Sequence, residues 1–81
     1  MPKKLRTLSG KEIVKFLEKN AFTVSSSRGS HTKLQRIVDK NTQTLIIPLH
    51  NQIAKGTLRD IYNQIVQYLP ESEIKDFFFT Q

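Results

Sequence analysis

Residues 22–49 read FTVSSSRGSHTKLQRIVDKNTQTLIIPL, and the spacing of their apolar residues decides the fold. From Phe22 the period is two: Phe22, Val24 and Ser26 share one face, and Thr23, Ser25 and Ser27 share the other, as a strand requires. Arg28-Gly29-Ser30 is a turn signal. A second run, residues 31–38, follows it with Thr32, Leu34 and Val38 on one face and His31, Lys33, Gln35 and Ile37 on the other. Asp39-Lys40-Asn41-Thr42 reads as a hairpin turn, and residues 44–49 as a third, apolar strand that Pro48 brings toward its end. Three antiparallel strands in a meander are expected.

Before this stretch the period is helical. Ser9 and Glu12 have capping-box spacing, in which a hydroxyl and a carboxylate satisfy each other's free backbone donors at a helix start. Ile13, Phe16 and Leu17, with Val14 beside them, form the buried stripe, and Lys11, Lys15, Glu18 and Lys19 take the wet side. Asn20 is expected to end the helix in a left-handed turn. After the strands, Leu58, Ile61, Tyr62, Ile65 and Leu69 mark a second helix, with Thr57 as its N-cap, Asp60 near its positive end and Pro70 as its stop. Tyr62 and Tyr68 read as the core and rim of that helix. Ser72 and Glu73 suit the cap of one more short turn carrying Ile74, Phe77 and Phe78, although Phe77-Phe78-Phe79 reads equally as a docked tail. Three successive aromatics cannot all face one core, so either at least one is exposed as an anchor for a partner protein or a short helix folds back over the main core.

The order α-β-β-β-α implies a two-layer α+β sandwich, with a three-stranded antiparallel sheet, both helices on one face and a short C-terminal helix or tail. The double-stranded-RNA-binding domain has this element order. The open face would carry His31, Lys33 and Gln35. At 81 residues the chain is expected to be a single domain, with a core over about residues 9–69.

Composition narrows the chemistry. Without cysteine there is neither a disulfide framework nor a thiolate metal site, and two histidines do not make a histidine-rich zinc site. No metal or other cofactor is expected. Thirteen Lys and Arg against seven Asp and Glu give a formal charge of +6, which suits a polyanionic partner, although many small domains are basic without one. The basic opening Met1-Pro2-Lys3-Lys4-Leu5-Arg6 runs into polar residues, so no signal peptide is expected; nor does any apolar run approach a membrane span, and a cytoplasmic address fits.

On the open face His31 brings an imidazole, the kind of side chain suited to serve as base or acid in RNA cleavage through the neighbouring 2′-hydroxyl. Gly29 lets backbone approach a phosphate, and Arg28, Ser30, Lys33 and Arg36 are the candidates to hold it. His50 lies just past the third strand. It reads either as a second acid-base group or as a loop histidine bonded to backbone. Lys55-Gly56-Thr57 combines a lysine, a hydroxyl and free helix amides, which suits a phosphate contact and equally an ordinary helix start.

Four motifs in order, Ser9-Gly10-Lys11-Glu12, Arg28-Gly29-Ser30-His31, Pro48-Leu49-His50 and Lys55-Gly56-Thr57-Leu58-Arg59-Asp60-Ile61, resemble the HicA toxin family of bacterial and archaeal toxin-antitoxin modules. The resemblance covers residues 9–65. It implies a double-stranded-RNA-binding-like fold, ribonuclease activity on mRNA with translation arrest, and neutralisation by a HicB-type antitoxin. The family's catalytic histidine falls on His31 and its glycine on Gly29. Two positions depart from the family pattern. Ala21 stands where a glycine commonly closes the first helix, a role Asn20 is expected to take over, and Thr32 stands where many members carry a bulkier residue.

Two other functions fit the same residues: a non-catalytic double-stranded-RNA-binding module, since duplex RNA is read by shape without a histidine, and a protein-interaction subunit whose basic face docks an acidic partner.

Overall fold

The computed structural model describes residues 4–80, so residues 1–3 of the basic opening stretch, and residue 81, lie outside the described residues. In chain order the elements are β1 (Lys4–Leu5), α1 (Gly10–Lys19), β2 (Thr23–Arg28), β3 (His31–Val38), β4 (Asn41–Pro48), α2 (Lys55–Ile65), α3 (Glu71–Phe78) and β5 (Phe79–Thr80). The fold is α+β. β2, β3 and β4 form an antiparallel sheet in that order, and β1 and β5 form a separate two-stranded clasp. Among the described residues, no helix is long and apolar enough to cross a membrane.

Strand alternation sorts the sheet into two faces. Thr32, Leu34, Leu45 and Ile47 are buried and share one core with Ile13 and Leu17 of α1 and Leu58, Ile61 and Ile65 of α2. His31, Lys33, Ile37 and Ile46 are exposed on the other face. The helices therefore cover one face and leave the other open, as an antiparallel sheet permits.

The start of α1 is as its sequence dictates. Ser9 Oγ accepts from the Glu12 N–H at 3.1 Å, and Glu12 Oε1 accepts from the Ser9 N–H at 3.0 Å. That backbone bond from Ser9 is the main reason the Glu12 pKa is lowered. The end of α1 differs from expectation. Asn20 has φ −108°, and Ala21, not Asn20, takes the left-handed turn with φ 73°. The Ala21 N–H bonds the Glu18 carbonyl at 3.3 Å and the Phe22 N–H bonds the Leu17 carbonyl at 3.1 Å, a Schellman closure that delivers Phe22 to the core. Asn20 contributes instead through its side chain, which donates to the Phe16 carbonyl at 2.9 Å.

β2 breaks the simple alternation. Val24 pairs with Leu34 but Ser26 pairs with Lys33, so Ser25 is the extra residue of a bulge and everything after it changes face. Ser27, opposite Thr32, joins the helix side, and Ser26 joins the open face. β4 begins three residues earlier than expected. Asp39 and Lys40 both adopt positive φ, 50° and 69°, so the hairpin turn takes only two residues and pairing starts at Val38 with Asn41.

α2 also starts early, with Ala54 as N-cap and no side-chain cap, so Thr57 lies inside the first turn. The helix ends at Ile65; Leu69 is reached through a turn in which its N–H bonds the Ile65 carbonyl at 2.9 Å. Pro70 begins α3 as its N-cap, in place of Ser72 or Glu73. α3 is held down by Ile74 and Phe78, both fully buried, and by the Tyr62 hydroxyl, which donates to Glu71 Oε2 at 2.6 Å. No member of the phenylalanine triplet is left exposed. Phe77 stacks on Phe16 with centroids 4.3 Å apart, and Phe79 meets Tyr62 edge-on at 5.1 Å. Turning the chain from helix to strand after Phe78 lets three successive rings find three different neighbours. The clasp is sealed by Arg6, whose N–H bonds the Phe78 carbonyl at 2.7 Å and whose guanidinium donates to the Phe77 carbonyl at 2.8 Å.

Candidate functional site

The open face is organised in cross-strand rows. At the end of the sheet, Arg28 pairs with His31 and His31 with Pro48; in the next row, Ser26 pairs with Lys33 and Lys33 with Ile46. The turn between β2 and β3 has only Gly29 and Ser30 at its tip, and Gly29 has φ 60°, a conformation that costs a residue with a Cβ. That tight turn brings Arg28 directly beside His31. Ser26, Ser27, Arg28, His31, Lys33 and Ile46 line a shallow groove of about 340 Å³. Two cations flank the imidazole, and the lining residues include no carboxylate. The groove thus presents positive charge, hydroxyls and one titratable ring to a ligand, the requirements for holding and attacking a phosphodiester. Among the described residues, no group of three His, Cys, Asp or Glu side chains is placed to hold a metal ion.

Beneath His31 the sheet is anchored through its neighbour. Thr32 is buried, and its hydroxyl lies 3.3 Å from the Ser27 hydroxyl.

His50 follows β4 in a segment tied to the same turn. The Leu49 N–H donates to the Ser30 carbonyl at 2.5 Å, and the His50 carbonyl accepts from the Gly10 N–H at 3.0 Å. Gly10 is required there. A Cβ on it would lie 2.0 Å from the Pro48 carbonyl oxygen and 2.7 Å from Leu49 Cα. The His50 side chain is exposed and does not line the groove.

The remaining candidates lie elsewhere. Arg36 is on the helix-covered side of β3, where its guanidinium donates to Gln43 Oε1 at 2.8 Å, the Asn20 carbonyl at 3.2 Å and the Tyr68 carbonyl at 2.9 Å, and lies 4.9 Å over the Phe22 ring. It joins the end of α1, β4 and the exit of α2. Lys55 donates from Nζ to the Leu5 carbonyl, tying α2 to the clasp, and Gly56 and Thr57 are exposed in the first turn of α2, outside the groove.

Four contributors, Ser26, Ser27, Ile46 and Gly10, escaped the sequence reading. Ser26 enters the groove only because of the bulge, which no residue type announces. Ile46 was legible as the middle of the Leu45-Ile46-Ile47 run, since alternation must expose one of three successive apolar residues. The role of Gly10 arises from its tertiary approach to Pro48, which no local sequence signal announces.

Comparison with known proteins supplies the family. Residues 10–66 match the family model described as the HicA toxin of bacterial toxin-antitoxin systems. No curated protein and no solved structure matches the chain. The match spans α1 through α2, with β2, β3, β4 and the groove between them, and leaves the clasp and α3 outside it. The chain belongs to the HicA toxin family and is the toxin of a toxin-antitoxin module.

Proposed function

We propose that this toxin is a metal-independent endoribonuclease that cleaves mRNA through acid-base catalysis by His31, arrests translation in the cytoplasm, and is neutralised by a HicB-type antitoxin. The observation that supports it is the placement of His31 between Arg28 and Lys33 on the open sheet face. In such a reaction the ribose 2′-oxygen bonds to phosphorus as the bond from phosphorus to the 5′-oxygen breaks. One proton leaves the 2′-hydroxyl and one reaches the 5′-oxygen, giving a 2′,3′-cyclic phosphate and a 5′-hydroxyl. His31 is the group in the groove that can carry either proton, and Arg28 and Lys33 offset the charge that builds on the phosphate.

Gly29 and Ser30 let backbone approach the same phosphate, and His50 is the candidate for the second proton transfer, since its segment is bonded to the Ser30 carbonyl through Leu49. Lys55, Gly56 and Thr57 would contact the RNA beyond the groove, at the start of α2. The test compares wild type with His31→Ala for growth inhibition and for cleavage of mRNA in excess EDTA. Loss of both by a folded variant supports the proposal. Cleavage that requires an added divalent ion contradicts the acid-base scheme.

A further inference from the structure

Ile46 is an apolar side chain in a groove otherwise made of hydroxyls, two cations and one imidazole. It is 53% exposed and lies directly across the ladder from Lys33. A strand's preference for β-branched residues does not demand it. Thr42 and Thr44, on the same face of β4, meet that preference with a hydroxyl. Nor is it one of the scattered surface hydrophobics that need no explanation, because it shares the groove with Arg28, His31 and Lys33.

Every phenylalanine and tyrosine ring is engaged elsewhere. All five phenylalanines and both tyrosines of the chain lie in the core or pack against it, and there is no tryptophan. A base held on the open face therefore has no Phe, Tyr or Trp ring to stack on, although stacking is how most proteins hold unpaired bases, and the imidazole of His31, the one ring lining the groove, is committed to proton transfer under the proposed function. What the groove offers instead is one aliphatic surface beside two cations, which matches a nucleotide's apolar base and anionic phosphate.

We propose that Ile46 is a nucleobase platform: it carries the face of an unpaired base while Arg28 and Lys33 hold the adjoining phosphate, making single-stranded RNA the ligand of this groove. The assignment deepens the ribonuclease reading and rests on it for the choice of RNA. In a duplex, base faces are already covered by their stacked neighbours, so Ile46 would have nothing to contact.

The test measures binding, with His31→Ala as the background so that RNA is not consumed. Fluorescence anisotropy is recorded with short single-stranded RNAs, with the same RNAs carrying an abasic ribose at successive positions, and with the matching duplex. Truncation to Ile46→Ala is expected to raise Kd for the intact single strand about tenfold, the loss of roughly two buried methylene groups. One abasic position should weaken binding to the parent by a similar factor, and Ile46→Ala should add nothing there. Ile46→Leu should restore affinity, and the duplex should show no dependence on Ile46. Equal affinities for the parent and Ile46→Ala, or equal weakening for intact and abasic RNA, would overturn the platform. So would unchanged RNA affinity together with weakened antitoxin binding, which would make Ile46 a protein contact. If base-dependent binding holds but wild type cleaves no RNA, the platform stands and the ribonuclease reading falls.

Discussion

Gly10 and Pro48 are in backbone contact: a Cβ on Gly10 would sit 2.0 Å from the Pro48 carbonyl oxygen. The first turn of α1 thereby meets the end of β4 at the residue that pairs with His31, and the Gly10 N–H holds the His50 carbonyl. Gly10→Ala must push α1 and this segment apart. It is expected to destabilise the fold by roughly 1–3 kcal/mol, the range for overpacking a close contact, and to impair toxicity beyond what the unfolded fraction explains. Chemical denaturation alongside growth inhibition checks this; wild-type stability would show that the contact is not tight.

Ala21 gives the opposite expectation. Its φ of 73° is strained for any residue with a Cβ, and the Schellman bonds around it require that conformation. Ala21→Gly should stabilise the protein by about 1 kcal/mol, after allowing for glycine's greater freedom in the unfolded chain, and leave toxicity unchanged. A thermal melt suffices to decide it, and a lower melting temperature would refute the cap.

Arg36 separates a clamp from a phosphate ligand. It bonds the Asn20 and Tyr68 carbonyls as well as Gln43, so Arg36→Met should cost about 2–3 kcal/mol by leaving those partners without their donor. Specific activity per folded molecule should be retained. A stable but inactive Arg36→Met protein would instead return Arg36 to the RNA-binding surface.

Glu12 contributes a pH dependence of known sign. Its pKa is lowered in the folded protein, chiefly by the bond from the Ser9 backbone. A carboxylate with a lowered pKa stabilises the fold fully above its unfolded-state pKa and loses that contribution as pH falls through the folded-state value. Glu12→Ala should therefore be less stable than wild type at neutral pH, with a deficit that narrows on acidification below the ordinary glutamate range. Denaturation midpoints measured from neutral pH downward would show it; a deficit constant with pH would assign the effect to helix propensity.

The legible parts of the fold were those that depend on local chemistry. Ser9 and Glu12 fix the start of α1, and the residues of β3 alternate as a strand between two polar turns must. Several corrections concern element ends and strand register, which local residue types specify weakly. The bulge at Ser25 reverses the faces of β2, a two-residue turn at Asp39 and Lys40 lengthens β4, and α2 begins without a capping side chain. The clasp was invisible because Lys4–Leu5 and Phe79–Thr80 are too short to show a period and meet only through the tertiary fold. For the site, alternation correctly put His31 and Lys33 on the open face, and the tight turn supplied Arg28. Arg36 alternates with Leu34, and the structure accordingly puts it on the helix-covered side, where it donates to Gln43 and to the Asn20 and Tyr68 carbonyls.

The central claim is that His31 carries a proton during RNA cleavage. Its most direct measurement is the single-turnover cleavage rate of a defined single-stranded RNA by wild type and by His31→Ala, in excess EDTA and with equal folding confirmed by circular dichroism. Replacing the histidine is expected to slow cleavage by about 10²–10⁴-fold, and wild type to leave 2′,3′-cyclic phosphate ends. Cleavage by His31→Ala at the wild-type rate would contradict it.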